Sequence, residues 1–193
     1  MFENLKADIA HARRVNAPAG WWNQHVRVLL NFGFLAVASY RLSRWTRSVR
    51  IPVLRQVLVI LSEILRRLTQ IVTGVDISPN ADIGPGFVVH TCFGVFVART
   101  KIGARCVVQT GVVITNGTRS IGDNVYFGPG AKVIGQCAIG NNVLVVANSL
   151  VMTDVADNLT VVGVPARIRL PRGGSLRFAT APVGPATPQE KAG

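Results

Sequence analysis

The sequence predicts a mainly β fold, a parallel β-helix of hexapeptide repeats preceded by an N-terminal α-helical region. Three observations predict it. Between Ile77 and Val155 an apolar residue returns at every sixth position, through Ile77, Ile83, Val89 and Val95, then Ile102, Val108 and Ile114, then Ile121, Phe127, Val133, Ile139, Val145 and Val151. Four residues further on comes a small or apolar position, as at Ala81, Cys106, Val112, Val125, Ala131, Cys137, Val143 and Ser149. Glycine directly follows the leading residue at Gly84, Gly103, Gly122, Gly128 and Gly140.

A period of six is neither the roughly 3.6 of a helix nor the roughly 2 of a simple strand. It belongs to a chain that runs straight, turns and runs again, each side giving one apolar residue to a shared interior. One hexad cannot bury its own face, so the coils must stack. Thirteen hexads at three per coil predict a little over four coils. The hexads starting at Val95 and Ile114 each carry one extra residue. Such a residue is housed most easily at a corner, where loops carry function. The second of these loops, Thr115 to Ser120, is polar.

The chain divides into a helical region over 1–75, the β-helix over 76–170 and a tail over 171–193. Residues 3–16 predict a short polar helix, ended by Pro18-Ala19-Gly20. Trp21 and Trp22 then lead into an apolar run from Val28 to Tyr40, too short for the ~20 residues that span a bilayer. Arg41, Arg44 and Arg47 follow at three-residue spacing and predict a basic ridge.

Pro52 stands where helices begin. From there Val53, Leu54, Val57, Leu58, Leu61, Ile64, Leu65, Leu68, Ile71 and Val72 recur at helical spacing, with Arg55, Ser62, Arg66 and Gln70 opposite them. The apolar stripe is expected to pack on the neighbouring helix and the first coil. The cationic face adds an expectation of peripheral contact with anionic lipid through residues 21–73. Gly74 is the predicted terminator. The tail, rich in Pro, Gly, Ala and Thr, is expected to be disordered.

The net charge of +12 is uneven. Residues 1–75 hold eleven Lys or Arg against three acids, and residues 76–170 hold seven against five. The basic character points to a membrane surface or anionic ligands. It does not point to nucleic acid, because no groove-reading motif accompanies it. Three scattered cysteines argue against a disulfide framework. Cys106 and Cys137 fall at inward positions. With no apolar core segment in the first twenty residues, no signal peptide is expected and the chain is expected in the cytoplasm.

Histidine is scarce: only His11, His25 and His90. His90 alone lies in the repeat, directly after the core residue Val89. From position alone it is either an exposed structural histidine or a general base, which a hydroxyl acceptor needs near neutral pH. Cys92 could form a nucleophilic pair with it, but no third residue orients them. One histidine in the repeat leaves no set of three for a catalytic zinc, so no metal is expected.

Several motifs occur together in one order. They are Val75-Asp76-Ile77-Ser78-Pro79, Ile83-Gly84-Pro85-Gly86, His90 before Phe93-Gly94-Val95, Gly111-Val112-Val113-Ile114, Phe127-Gly128-Pro129-Gly130-Ala131-Lys132 and Gly163-Val164-Pro165-Ala166-Arg167. Over about residues 74–169 the chain resembles the serine acetyltransferase family of left-handed β-helix acyltransferases. The resemblance implies a homotrimer that binds acetyl-CoA in a groove between subunits and passes the acetyl group directly to a hydroxyl. It matches His90 to the catalytic histidine and Asp76 to an acidic residue that supports it, although Asp76 could equally cap the first coil. Gly128, Gly130, Ala131 and Ala147 match the CoA groove, with Arg167 as a partner for a CoA phosphate. Pro129 departs from the pattern and has no backbone N–H to offer.

Two further departures bear on the acceptor. Val89 stands where the family has an aspartate, and Thr118-Arg119-Ser120 lacks the family's histidine. Both resemble the short capsule and exopolysaccharide relatives. The expected acceptor is therefore a sugar hydroxyl of surface polysaccharide or its lipid-linked precursor. L-Serine, in cysteine biosynthesis, is the alternative, and a silent trimeric scaffold at the inner membrane face is a third reading.

Overall fold

The structure, a computed structural model, describes residues 2–15 and 32–169. Three helices precede the repeat: α1 (Phe2–Val15), α2 (Phe32–Thr46) and α3 (Pro52–Thr73). Trp21, Trp22, the first part of the apolar run from Val28, and the tail from 171 lie outside the described residues. Among the described residues no helix is long and apolar enough to cross a membrane.

The repeat winds into a three-faced parallel solenoid. The first face stacks β1 (Val75–Ile77), β4 (Val95–Val97), β7 (Val113–Ile114), β10 (Lys132–Val133) and β13 (Leu150–Val151). The second stacks β2 (Asp82–Ile83), β5 (Lys101–Ile102), β8 (Ser120–Ile121) and β11 (Ala138–Ile139), extended by a bridge from Ile139 to Val155. The third stacks β3 (Val88–Val89), β6 (Val107–Val108), β9 (Tyr126–Phe127), β12 (Leu144–Val145) and β14 (Thr160–Val162). Five strands on the first face make five coils, more than the four and a fraction expected, because the chain from Val155 to Val162 closes another turn.

The core is what the six-residue period requires. One inward residue per face forms three columns: Ile77, Val97, Ile114, Val133, Val151; Ile83, Ile102, Ile121, Ile139, Val155; and Val89, Val108, Phe127, Val145, Val161. The small second positions, Ala81, Cys106, Val112, Val125, Ala131, Cys137, Val143 and Ser149, are all buried at the corners. Each fully buried aliphatic side chain contributes about 1.5–3 kcal/mol. Burial pushes the Cys106 thiol up to about 12, so it serves as a small apolar side chain. On one edge Asn124, Asn142 and Asn158 take left-handed φ of 58°, 55° and 61° and form an amide ladder.

One expectation about the repeat fails. The register aligns Val97, not Val95, with Ile77 and Ile114. Both valines are inward-facing on one strand, with Phe96 exposed between them, so spacing alone selected the wrong one. The extra residues therefore sit at the corner between Val89 and Val95, which contains His90. The insertion after Ile114 stands.

The helices close the open first coil. Asp8 of α1 is 1% exposed and its Oδ1 accepts from the Gly86 and Phe87 N–H groups. Arg41 of α2 pairs with Asp8 at 3.0 Å and donates to the Ile83 and Gly84 carbonyls. Arg41 is thus a buried clamp and not part of a basic ridge. Tyr40 donates to the Ala81 carbonyl at 2.8 Å.

The packing of α3 reverses the expectation. Ser62, Arg66, Thr69 and Thr73 are buried, while Val53, Leu54, Val57, Ile60, Leu61, Ile64, Leu65, Leu68, Ile71 and Val72 are exposed. The inward polar groups carry little desolvation cost because each has a partner. Ser62, Thr69 and Thr73 hydroxyls donate to carbonyls one turn back in their own helix, and Arg66 is paired with Glu63 and Asp76. Gly74 ends the helix at φ 63°, its N–H reaching the Gln70 carbonyl.

Candidate active site

His90 stands at the edge where the third face turns into the first. The residues directly after the third-face core column, His90, Gln109, Gly128 and Val146, stack along that edge. Their N–H groups donate to the Val108, Phe127, Val145 and Val161 carbonyls of the next coil. The His90 side chain is half-buried, and its Nδ1 is sealed from solvent with no hydrogen-bond partner among the described residues. A buried ring nitrogen left unpaired is costly unless something outside the described residues satisfies it.

The corner around it is tightly tied. Thr91 Oγ1 donates to Gln109 Oε1 at 2.8 Å and accepts from the Thr110 N–H at 2.9 Å. Gln109 Nε2 donates to the Tyr126 hydroxyl at 2.8 Å. Phe93 has φ 72° and is 64% exposed, a conformation that costs a bulky residue about 1–2 kcal/mol. Its N–H donates to the Thr73 carbonyl, and its own carbonyl accepts from Gly111 and Thr110. Thr91, Gln109 and Tyr126 were not singled out by the sequence. The usable signal was position, since Gln109 follows Val108 as His90 follows Val89.

Further along the edge come Gly128, Gly130 and Ala147. A Cβ on Gly128 would lie 2.6 Å from the Ala147 nitrogen, so only glycine lets the two corners approach. Gly130 donates to the Thr110 carbonyl, and the Pro129 carbonyl accepts from Asn148. Ala147 is exposed, and its N–H has no acceptor among the described residues. Ala131 is different. Its side chain is fully buried, its N–H goes to Gly128 and its carbonyl accepts from Val113. Its side chain therefore presents no surface to the expected groove. Arg167 lies exposed on β15 (Arg167–Ile168), antiparallel to β14 on the same third face.

Asp76 makes no hydrogen bond to His90 among the described residues. It lies on β1, and its Oδ1 accepts from Arg66 Nη1 at 2.9 Å. Thr118-Arg119-Ser120 lies on another edge, between the first and second faces, where Arg119 pairs with Asp154. Val89 is 2% exposed in the core and presents nothing to an acceptor. Burial pushes the Cys92 thiol up, away from the thiolate a nucleophile requires. No group of three or more His, Cys, Asp or Glu among the described residues could hold a metal ion.

The chain shares this architecture with known proteins. Residues 120–152 match the bacterial transferase hexapeptide (six repeats) family. The serine acetyltransferase of Synechococcus elongatus is 36% identical over 179 residues, covering 87% of this chain and 68% of that protein. A serine acetyltransferase solved in complex with CoA superposes with a TM-score of 0.72 at 27% identity, over 86% of this chain and 68% of the other. Soybean serine acetyltransferase complexed with serine gives a TM-score of 0.68 at 31% identity, over the same shares. The chain spans 68% of the Synechococcus protein and 61% and 64% of the Staphylococcus xylosus and Bacillus pumilus relatives. On the extent of the Synechococcus match, the chain belongs to the serine acetyltransferase family.

Proposed function

We propose that this chain is an acetyl-CoA-dependent O-acetyltransferase of the serine acetyltransferase type, acting on L-serine with His90 as general base. The observation that carries the reading is His90 itself, with its sealed, unpaired Nδ1 on the same edge as the free N–H of Ala147. The acceptor follows from the relatives, which are serine acetyltransferases, one of them solved with serine. This reverses the preference for a sugar.

An alcohol is a poor nucleophile until its proton is removed. His90 Nε2 takes the hydroxyl proton as the oxygen bonds to the thioester carbonyl carbon. The C–S bond then breaks, and the proton passes from the imidazolium to the departing CoA sulfur. For Nε2 to accept, Nδ1 must carry the other hydrogen. Gly128, Gly130, Ala147 and Arg167 form the groove for acetyl-CoA, with the Ala147 N–H as a donor to it. The pairing of Asp76 with Arg66 supports reading it as a structural cap of the first coil.

A sugar hydroxyl is the second reading. It is favoured by the missing carboxylate at buried Val89 and by the absence of a histidine in Thr118-Arg119-Ser120. Release of CoA with L-serine, compared with nucleotide-linked and lipid-linked sugars, separates the two.

Assembly into a homotrimer belongs to the same reading. Leu54, Leu61, Leu65, Leu68 and Val72 repeat at seven, four, three and four, a heptad seam on the outward face of α3. Peripheral attachment at the inner membrane face is the competing occupant, read out by sedimentation with anionic vesicles.

A further inference from the structure

A second charged feature lies on a different edge from His90, where the first face turns into the second. There the end of α2 and the corners of the first two coils enclose a groove of about 570 Å³, lined by Arg44, Arg47, Ser48, Pro79, Asn80 and Arg99. The acyl-transfer site uses none of these residues.

The charge in the groove is not balanced. Arg44 pairs with Asp82 at 3.1 Å and also donates to the Ala81 carbonyl at 2.8 Å. Arg47 donates to a neutral partner, Asn80 Oδ1, at 2.8 Å. The Arg99 side chain has no partner among the described residues; its backbone N–H is held by Asn116 Oδ1. Glu63, the one acid on α3, is paired with Arg66, which it shares with Asp76, and it also feels the charge of Arg47 at longer range. Three guanidinium groups therefore line the groove, and Asp82 is the one carboxylate among the described residues that pairs directly with any of them.

The geometry is also partly preset. The bonds to Ala81, Asp82 and Asn80 fix the Arg44 and Arg47 forks, yet Arg44 uses only two of its N–H donors and Arg47 only one. A guanidinium carries five donors in a planar fork that fits the oxygens of a phosphate two at a time. Ser48 adds a hydroxyl at the rim. A monocarboxylate would offset one of the two unbalanced charges; a phosphate or pyrophosphate would offset both.

We propose that the Arg44–Arg47–Arg99 groove is a binding site for a phosphate or pyrophosphate group, separate from the acyl-transfer edge. That group arrives either on a soluble molecule or on a lipid headgroup.

The test uses the full chain and its Arg47→Gln/Arg99→Gln variant. Both residues are exposed, so the fold is kept. An Arg55→Gln/Arg169→Gln variant, with the same loss of charge outside the groove, is the control. Inorganic pyrophosphate is titrated calorimetrically, and sedimentation is measured with vesicles of phosphatidylcholine alone and with added phosphatidate. The wild type is expected to bind saturably, the groove variant to weaken by about tenfold or more, and the control to stay within about twofold. Pyrophosphate binding of this pattern assigns a soluble ligand. Sedimentation with phosphatidate vesicles of this pattern, without pyrophosphate binding, assigns a headgroup. No saturable binding in either arm, or an equal loss in the control, overturns the proposal.

Discussion

Arg66 and Asp76 join the last helix to the first coil: Arg66 Nη1 donates to Asp76 Oδ1 at 2.9 Å, from a guanidinium that also grips Glu63. Arg66 is 9% and Asp76 27% exposed, so the pair is partly shielded from water. The pair ties the first strand of the solenoid to α3. Asp76→Asn is expected to lower stability by about 1–2 kcal/mol in urea denaturation while leaving the pH profile of kcat unchanged. An unchanged midpoint with a collapsed kcat would return Asp76 to the acid–base chemistry.

The outward seam of α3 gives a second expectation. A glutamate pair at Leu61→Glu and Leu65→Glu places charge in the middle of that seam without touching the solenoid core. Light scattering should show a trimer for the wild type and a monomer for the variant, with the β-rich circular dichroism retained. A trimer that survives both glutamates would remove α3 from the interface.

His11 makes stability depend on mild acid. Burial lowers its pKa from the ordinary 6.5, against the opposing pull of its contact with the Gly86 carbonyl. At pH below 6.5 the unfolded chain therefore binds more protons than the folded one. The His11 contribution is complete above 6.5 and is lost as pH falls below it toward the lowered folded value. His11→Asn keeps a donor for Gly86 and removes the titration. Its urea midpoint should fall less between pH 7 and pH 5 than that of the wild type.

Much of this was legible in the residues. A six-residue apolar period has one economical burial solution, and Ile83, Ile102, Ile121 and Ile139 fall on a single inward column as it requires. Strand alternation blurred it at one place, where Val95 and Val97 both point inward and only register tells them apart. The direction of α3 was not legible. Amphipathic spacing states that a helix has an apolar side, but not whether coil or partner covers it. Thr69 and Thr73 bury their polar side cheaply by bonding back to their own helix. Of the site, His90 stood out by scarcity, whereas the Gln109–Tyr126 and Thr91–Thr110 ties join residues far apart in sequence and show no local pattern.

Cys92 should prove dispensable. Its thiol is raised by burial, and no base orients it. Cys92→Ala is expected to keep kcat within about twofold, and the native chain should react slowly with thiol reagents at neutral pH. Loss of activity in Cys92→Ala with the fold intact would restore an acyl-enzyme route.

The most direct test of the central claim is the rate of CoA release from acetyl-CoA with L-serine, measured for the wild type and for His90→Ala. Saturable, serine-dependent turnover is predicted for the wild type, with a fall of about 10²–10⁴ in kcat for the variant. A His90→Ala protein that transfers acetyl at the wild-type rate would contradict the account.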